Sequence, residues 1–174
     1  VNDPGGMFEE ATAEVIRDTC GISGGGIFVL FTSHRALRRV AESLREGPAL
    51  RWPLFVQGED TRTRLLERFI ESEQGLLLGT ASFWEGVDVP GRPLRGLIIQ
   101  RLPFKVPTEP ITAARIQAIE RRGGSSFVEF VLPLAALKLK QGFGRLVRSR
   151  EDRGAILILD DRIVRKKYGA YLRE

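Results

Sequence analysis

Short apolar runs alternate with amphipathic stretches along most of this chain. Residues 7–20 mix Phe8, Ala11, Val15 and Ile16 with charged positions at helical spacing, and Gly24-Gly25-Gly26 breaks that pattern. Ile27 to Phe31 is a continuous apolar run bounded by turn residues, as in a strand buried on both faces. The alternation then repeats. Leu37, Val40, Ala41 and Leu44 form a helical stripe, Leu54 to Val56 a strand, and Leu65, Leu66, Phe69 and Ile70 another stripe. Leu76 to Leu78 and Leu97 to Ile99 read as strands. Residues 109–122 read as an exposed helix ending at Gly123-Gly124, and Phe127 to Val147 contains a long helix with Pro133 near its start. A last strand spans Ala155 to Leu159, and residues 161–168 form a short basic helix. Buried strands alternating with amphipathic helices predict an α/β fold, a parallel sheet with helices on both faces. Ligands of such folds sit beyond the carboxyl ends of the strands, so the segments that follow the strands carry the chemistry.

The composition narrows the class. The 174 residues are 43% hydrophobic and 28% charged, which excludes a disordered tail, a collagen-like fibre and a disulfide scaffold. Lys and Arg number 27 against 22 Asp and Glu, and the net charge of +5 leans weakly towards an anionic partner. One cysteine, Cys20, and one histidine, His34, argue against a disulfide and a zinc site. The longest apolar runs are far too short to span a bilayer, so no membrane partner is expected. The first residues show no signal peptide, and the lack of a starting Met suggests a piece of a longer chain. A soluble, cytoplasmic protein is expected, associated with the nucleoid if bacterial.

Three segments hold candidate chemistry. Phe31-Thr32-Ser33 ends the first strand, and Ser33 stands where a helix N-cap belongs. It reads either as a capping hydroxyl alone or as one that also meets an anion at the helix N-terminus. Gly79 to Gly91 follows the third strand with small residues, hydroxyls and two carboxylates. It reads either as a packed connection or as a phosphate-binding surface in which Glu85 or Asp88 holds a sugar hydroxyl or a basic partner.

The third segment is a helix around Gln141. At 100° per residue, Ala136, Leu139, Phe143, Leu146 and Val147 fall within roughly 60° of Leu132. Gln141, Arg145 and Arg148 fall on the opposite side, beside Gly142 and Gly144. Each glycine inside a helix costs about 1 kcal/mol against alanine, so the pair suggests close approach to the backbone. A solvated charged face is the alternative. Arginine suits phosphate through its planar fork and fixed charge.

These segments together resemble a known family. Gly79-Thr80 through Asp88 resembles motif V of superfamily two helicases in the XPD/DinG branch. Gln141-Gly142-Phe143-Gly144-Arg145-Leu146-Val147-Arg148 resembles its motif VI, and Phe31-Thr32-Ser33 its motif IV. Ile98 to Phe104, with Pro107 and Pro110, is similar to the DinG pattern. The resemblance covers roughly residues 26–166. It implies a RecA-like parallel sheet flanked by helices, a three-layer sandwich of P-loop NTPase type that forms the second helicase lobe. The domain organisation expected is an N-terminal helix and Gly-rich linker over 1–25, then one lobe over 26–174.

The resemblance also implies roles. Arg145 and Arg148 would reach the γ-phosphate of ATP, with Arg148 favoured as the arginine finger, and Gln141 would couple the cleft to the nucleotide. Glu85, Gly86, Asp88 and Gly144 would lie near the nucleotide. Thr32, Ser33, Gly79 and Thr80 would contact phosphates of single-stranded DNA, along which family members move 5′ to 3′ in repair or replication.

The first-lobe groups are missing. No G-x-x-x-x-G-K-[ST] occurs, Gly24-Gly25-Gly26 precedes its strand, and Asp160-Asp161 does not replace a D-E-x-H box. ATP and Mg would be bound mainly by the first lobe of the same polypeptide, and the cysteines of the family's iron–sulfur cluster are absent from this chain. The fragment alone is expected to hydrolyse ATP negligibly. The alternatives are a non-catalytic nucleic-acid-binding RecA-like module, an RNA-directed helicase lobe and, last, a nucleotide-binding α/β enzyme of another class.

Overall fold

The computed structural model describes residues 6–80, 83, 94–104, 110–146 and 154–173, with the backbone alone at Arg145 and Leu146. Five strands, β1 (Ile27–Phe31), β2 (Leu54–Val56), β3 (Leu76–Thr80), β4 (Gly96–Ile99) and β5 (Ala155–Ile158), form one sheet in the order β2-β3-β1-β4-β5. Every neighbouring pair is parallel. The helices are α1 (Met7–Ser23), α2 (His34–Glu46), α3 (Arg62–Ser72), α4 (Pro110–Arg121), α5 (Leu132–Leu146), α6 (Arg162–Arg165) and α7 (Gly169–Arg173).

The chain divides into two compact units, Val1–Arg101 with Gly144–Asp160, and Leu102–Phe143 with Asp161–Glu174. The first unit holds the sheet. β1 is buried along its whole length, as its apolar run predicts. Its side chains alternate between two layers. Ile27, Val29 and Phe31 join one cluster with Ala13, Ile16 and Cys20 of α1 and Leu37, Val40 and Leu44 of α2. On the opposite face Phe28 meets Phe83 edge-on at 6.3 Å, and Phe55 meets Phe69 of α3 at 6.4 Å. Helices therefore cover both faces of the sheet, the three-layer α/β arrangement expected. Ala13, Ile16 and Cys20 of α1 thus share the core of β1. β5 lies at the sheet edge with Ala155 and Ile156 exposed, less covered than its apolar sequence suggests.

Local chemistry sets the element ends. Gly24, Gly25 and Gly26 all take positive φ, and the N–H of Gly24 closes α1 on the Cys20 carbonyl at 2.9 Å. A Cβ on Gly25 would run into the carbonyl of Gln74, so this glycine run is a chain reversal into β1. Arg17 of α1 donates to the carbonyls of Leu44 at 2.8 Å and Ser43 at 3.2 Å, closing the C-terminal turn of α2.

The second unit is helical. Ile119, Leu132, Ala135, Leu139, Ile163 and Leu172 are buried, and Phe104, Phe127 and Tyr168 pack at tilted or edge-on angles with ring centroids 5.1–5.6 Å apart. The long helix lies within Phe127 to Val147 with Pro133 near its start, as expected. Phe127–Val131 is a π-helical turn, and the α-helix starts at Leu132 with Pro133 in its first turn. The basic helix expected over 161–168 is a short turn, α6, followed by α7.

Candidate functional site

Because every pairing is parallel, the carboxyl ends of all five strands reach one edge of the sheet. β1 leads on towards β2 and β4 towards β5, on opposite sides, so the crevice between β1 and β4 is the point at which the topology reverses. Phe31 pairs with Thr80, which sets the ends of β1 and β3 side by side. Thr32, Ser33 and Thr80, separated in sequence, thus share this edge with Gln57, Gln100 and Asp160.

Ser33 caps α2. Its backbone is extended and its Oγ accepts the N–H of Ala36 at 3.2 Å, which leaves the hydroxyl proton free of that bond. Thr32, Ser33, His34, Arg35 and Arg38 are all exposed. The first turn of α2 contains no acidic residue, although a helix N-terminus favours acids. α3 repeats the pattern: Thr61 caps it, and Arg62 and Arg64 are exposed in a first turn without acids. Asp60, just before Thr61, accepts the Thr61 N–H at 2.7 Å and pairs with Arg64 at 4.0 Å, so of the two helix ends that of α2 suits a polyanion better.

Gly79 and Thr80 are buried in β3. A Cβ on Gly79 would stand 3.0 Å from the Phe28 ring and 3.2 Å from Phe83, so a side chain there would press on both residues. Thr80 is held by a residue the sequence did not single out. Gln57 Oε1 accepts the N–H of Thr80 at 2.7 Å and its hydroxyl at 3.0 Å. Gln100 was also missed. It is fully buried just after β4, and among the described residues neither amide atom has a hydrogen-bond partner, while its backbone N–H pairs with Leu30. Only the strand-end position of these two glutamines could have marked them.

On α5, Leu132, Ala135, Leu139 and Gly142 are buried, and Lys140, Gln141 and Gly144 are exposed. The inward face matches the expectation at Leu132 and Leu139. It turns slightly, burying Ala135 in preference to the half-buried Ala136. Among the described residues a Cβ on Gly144 would meet nothing within 4 Å, so their packing does not require glycine there. Glu85, Gly86, Asp88 and Arg148, and the side chain of Arg145, lie outside the described residues.

Among the described residues no group of three His, Cys, Asp or Glu side chains could hold a metal ion. Cys20 is the chain's one cysteine and is buried, and burial pushes its thiol up to about 11. An iron–sulfur cluster needs several accessible thiolates, so this chain does not fit one. No described helix is long and apolar enough to cross a membrane.

This architecture is that of a RecA-like helicase lobe. A solved XPD helicase shares it, with a TM-score of 0.73 and 19% identity over 95% of this chain and 30% of that one. The model of the helicase C-terminal domain family matches residues 16–174, and the chain belongs to that family. The ATP-dependent DNA helicase YoaA of Escherichia coli is 42% identical over 169 residues, 97% of this chain and 26% of that protein. The ATP-dependent helicase DinG of Mycobacterium tuberculosis (strain H37Rv) is 40% identical over 171 residues, 98% of this chain and 25% of that protein. The chain spans about a quarter of the length of these curated relatives.

Proposed function

We propose that this chain is the second motor lobe of an ATP-dependent DNA helicase that moves 5′ to 3′ along single-stranded DNA. The observation that carries this reading is the shared sheet edge. Thr32, Ser33 and Thr80 gather there beside the N-terminus of α2, whose first turn holds no acid, in a chain of the helicase C-terminal domain family.

ATP, held with magnesium by the first lobe of the same polypeptide, supplies the phosphoryl group and the free energy of its hydrolysis. Arg148, with Arg145 beside it in sequence, brings a guanidinium to the γ-phosphate and offsets the charge that develops there. Gln141 couples that contact to the cleft. Glu85, Gly86, Asp88 and Gly144 lie near the nucleotide and relay its state. Thr32, Ser33, Gly79 and Thr80 hold the strand through its phosphates, which carry no base information. This chain by itself hydrolyses ATP negligibly, since it contains neither a P-loop nor a D-E-x-H box. In a bacterial cell the protein works in the cytoplasm, at the nucleoid.

Strand displacement by the full-length protein tests the proposal. ATP-dependent unwinding of a duplex with a 5′ single-stranded DNA tail, and not of one with a 3′ tail, is the expected result. Unwinding of RNA alone would transfer the lobe to an RNA-directed motor. Strand binding without unwinding or ATP turnover would leave a non-catalytic binding module.

A further inference from the structure

The bond between Gln57 and Thr80 bears on how the strand is admitted. Thr80 has two donors, its backbone N–H and its hydroxyl, and both converge on one oxygen, Gln57 Oε1, at 2.7 and 3.0 Å. Phosphate oxygens only accept hydrogen bonds. A phosphate arriving at Thr80 therefore competes with Gln57 for the same two donors. Thr80 is only 6% exposed, so it is covered as well as engaged.

We propose that the Gln57 carboxamide oxygen occupies the seat of a strand phosphate oxygen at Thr80 and is displaced when single-stranded DNA binds. The inference rests on the reading of Thr80 as a strand contact and adds to it a placeholder residue. An amide N–H and a hydroxyl meeting at one oxygen is the arrangement by which protein loops hold a phosphate oxygen. Without the strand, a buried N–H left unpaired is costly, and Gln57 satisfies it. With the strand present, a neutral acceptor is exchanged for an anionic one, whose hydrogen bonds are roughly twice as strong. The Gln57 backbone need not move for its side chain to leave. The backbone N–H of Gln57 is fixed to the Leu78 carbonyl at 2.9 Å, and its side chain is only partly buried. Gln57 thus keeps the seat in order when empty and weakens the grip when filled, which favours release at each step of translocation.

The test is the affinity of the full-length protein for an oligo-dT strand at one fixed salt concentration, measured for Gln57→Met, Gln57→Ala, Thr80→Val and Gln57→Met/Thr80→Val. Methionine keeps the length of glutamine and removes the acceptor, so the site stays filled if alanine collapses it. Removing the placeholder is expected to tighten binding about fivefold in both Gln57 variants, the worth of a typical net hydrogen bond. Thr80→Val is expected to weaken binding, and the gain from Gln57→Met is expected to vanish in the double variant. Weaker binding by both Gln57 variants, with Thr80→Val also weakened, would make Gln57 a brace and overturn the inference while leaving the strand contact intact. Unchanged binding by Thr80→Val would overturn the strand contact, and the placeholder with it.

Discussion

Phe31 and Thr80 are register partners on neighbouring parallel strands. Each is the last residue of its strand, so the chain leaves the sheet at two adjacent points on one edge. That relationship brings Thr32 and Ser33 to the same edge as Gly79 and Thr80, almost fifty residues apart, the described parts of the segments resembling motifs IV and V. Parallel pairing alone produces it, because every strand then delivers its carboxyl end to the same side.

Ser33 separates capping from strand binding. Ser33→Ala removes the acceptor for the Ala36 N–H and is expected to cost about 1 kcal/mol of stability. Ser33→Asp keeps an acceptor and suits the helix dipole, so stability is expected to hold. Its carboxylate would stand where a phosphate is proposed to lie, and single-strand affinity is expected to fall about fivefold, the effect of two charges near 4 Å in water. Urea unfolding and fluorescence anisotropy read the two effects. Wild-type DNA affinity in Ser33→Asp would reduce the residue to a cap.

Gln100 carries a cost with no visible return in the described residues. Its amide is fully buried and both polar atoms lack partners. Gln100→Met retains the shape and removes the unsatisfied groups, so a gain of about 1–2 kcal/mol is expected in urea unfolding. A loss of stability in this variant would mean that the amide is satisfied in solution.

Much of this was legible in the sequence. Strands buried on both faces have no polar side to confuse their apolar runs, so β1, β3 and β4 stood out. The Ser33 cap and the α2 stripe were equally plain, since both depend on neighbours in sequence. What escaped depends on partners far along the chain. Gln57 faces Thr80 across 23 positions, and nothing local distinguishes it from a surface glutamine. The exposure of β5 follows from its place at the sheet edge, which strand order decides. The contact between Gly79 and Phe28 escaped for the same reason, since Phe28 belongs to another strand.

The single thiol gives a pH signature. Burial raises Cys20 from its ordinary 9.0 to about 11, so the folded state holds this proton more tightly than the unfolded chain does. The resulting stabilisation is fully present below pH 9 and is lost as the pH rises through about 11. The stability difference between wild type and Cys20→Ala is therefore expected to shrink by roughly 2 kcal/mol between pH 8 and pH 11. A difference that stays constant over this range would show that the thiol is not the titrating group.

The central claim is that this lobe completes an ATPase through Arg148. Its most direct test is DNA-stimulated ATP hydrolysis by the full-length protein, wild type against Arg148→Ala. An arginine that acts on the transferring phosphate is expected to contribute about 10³-fold or more to kcat, with ATP binding largely retained. An unchanged kcat would contradict the claim and leave Arg148 on a solvated face.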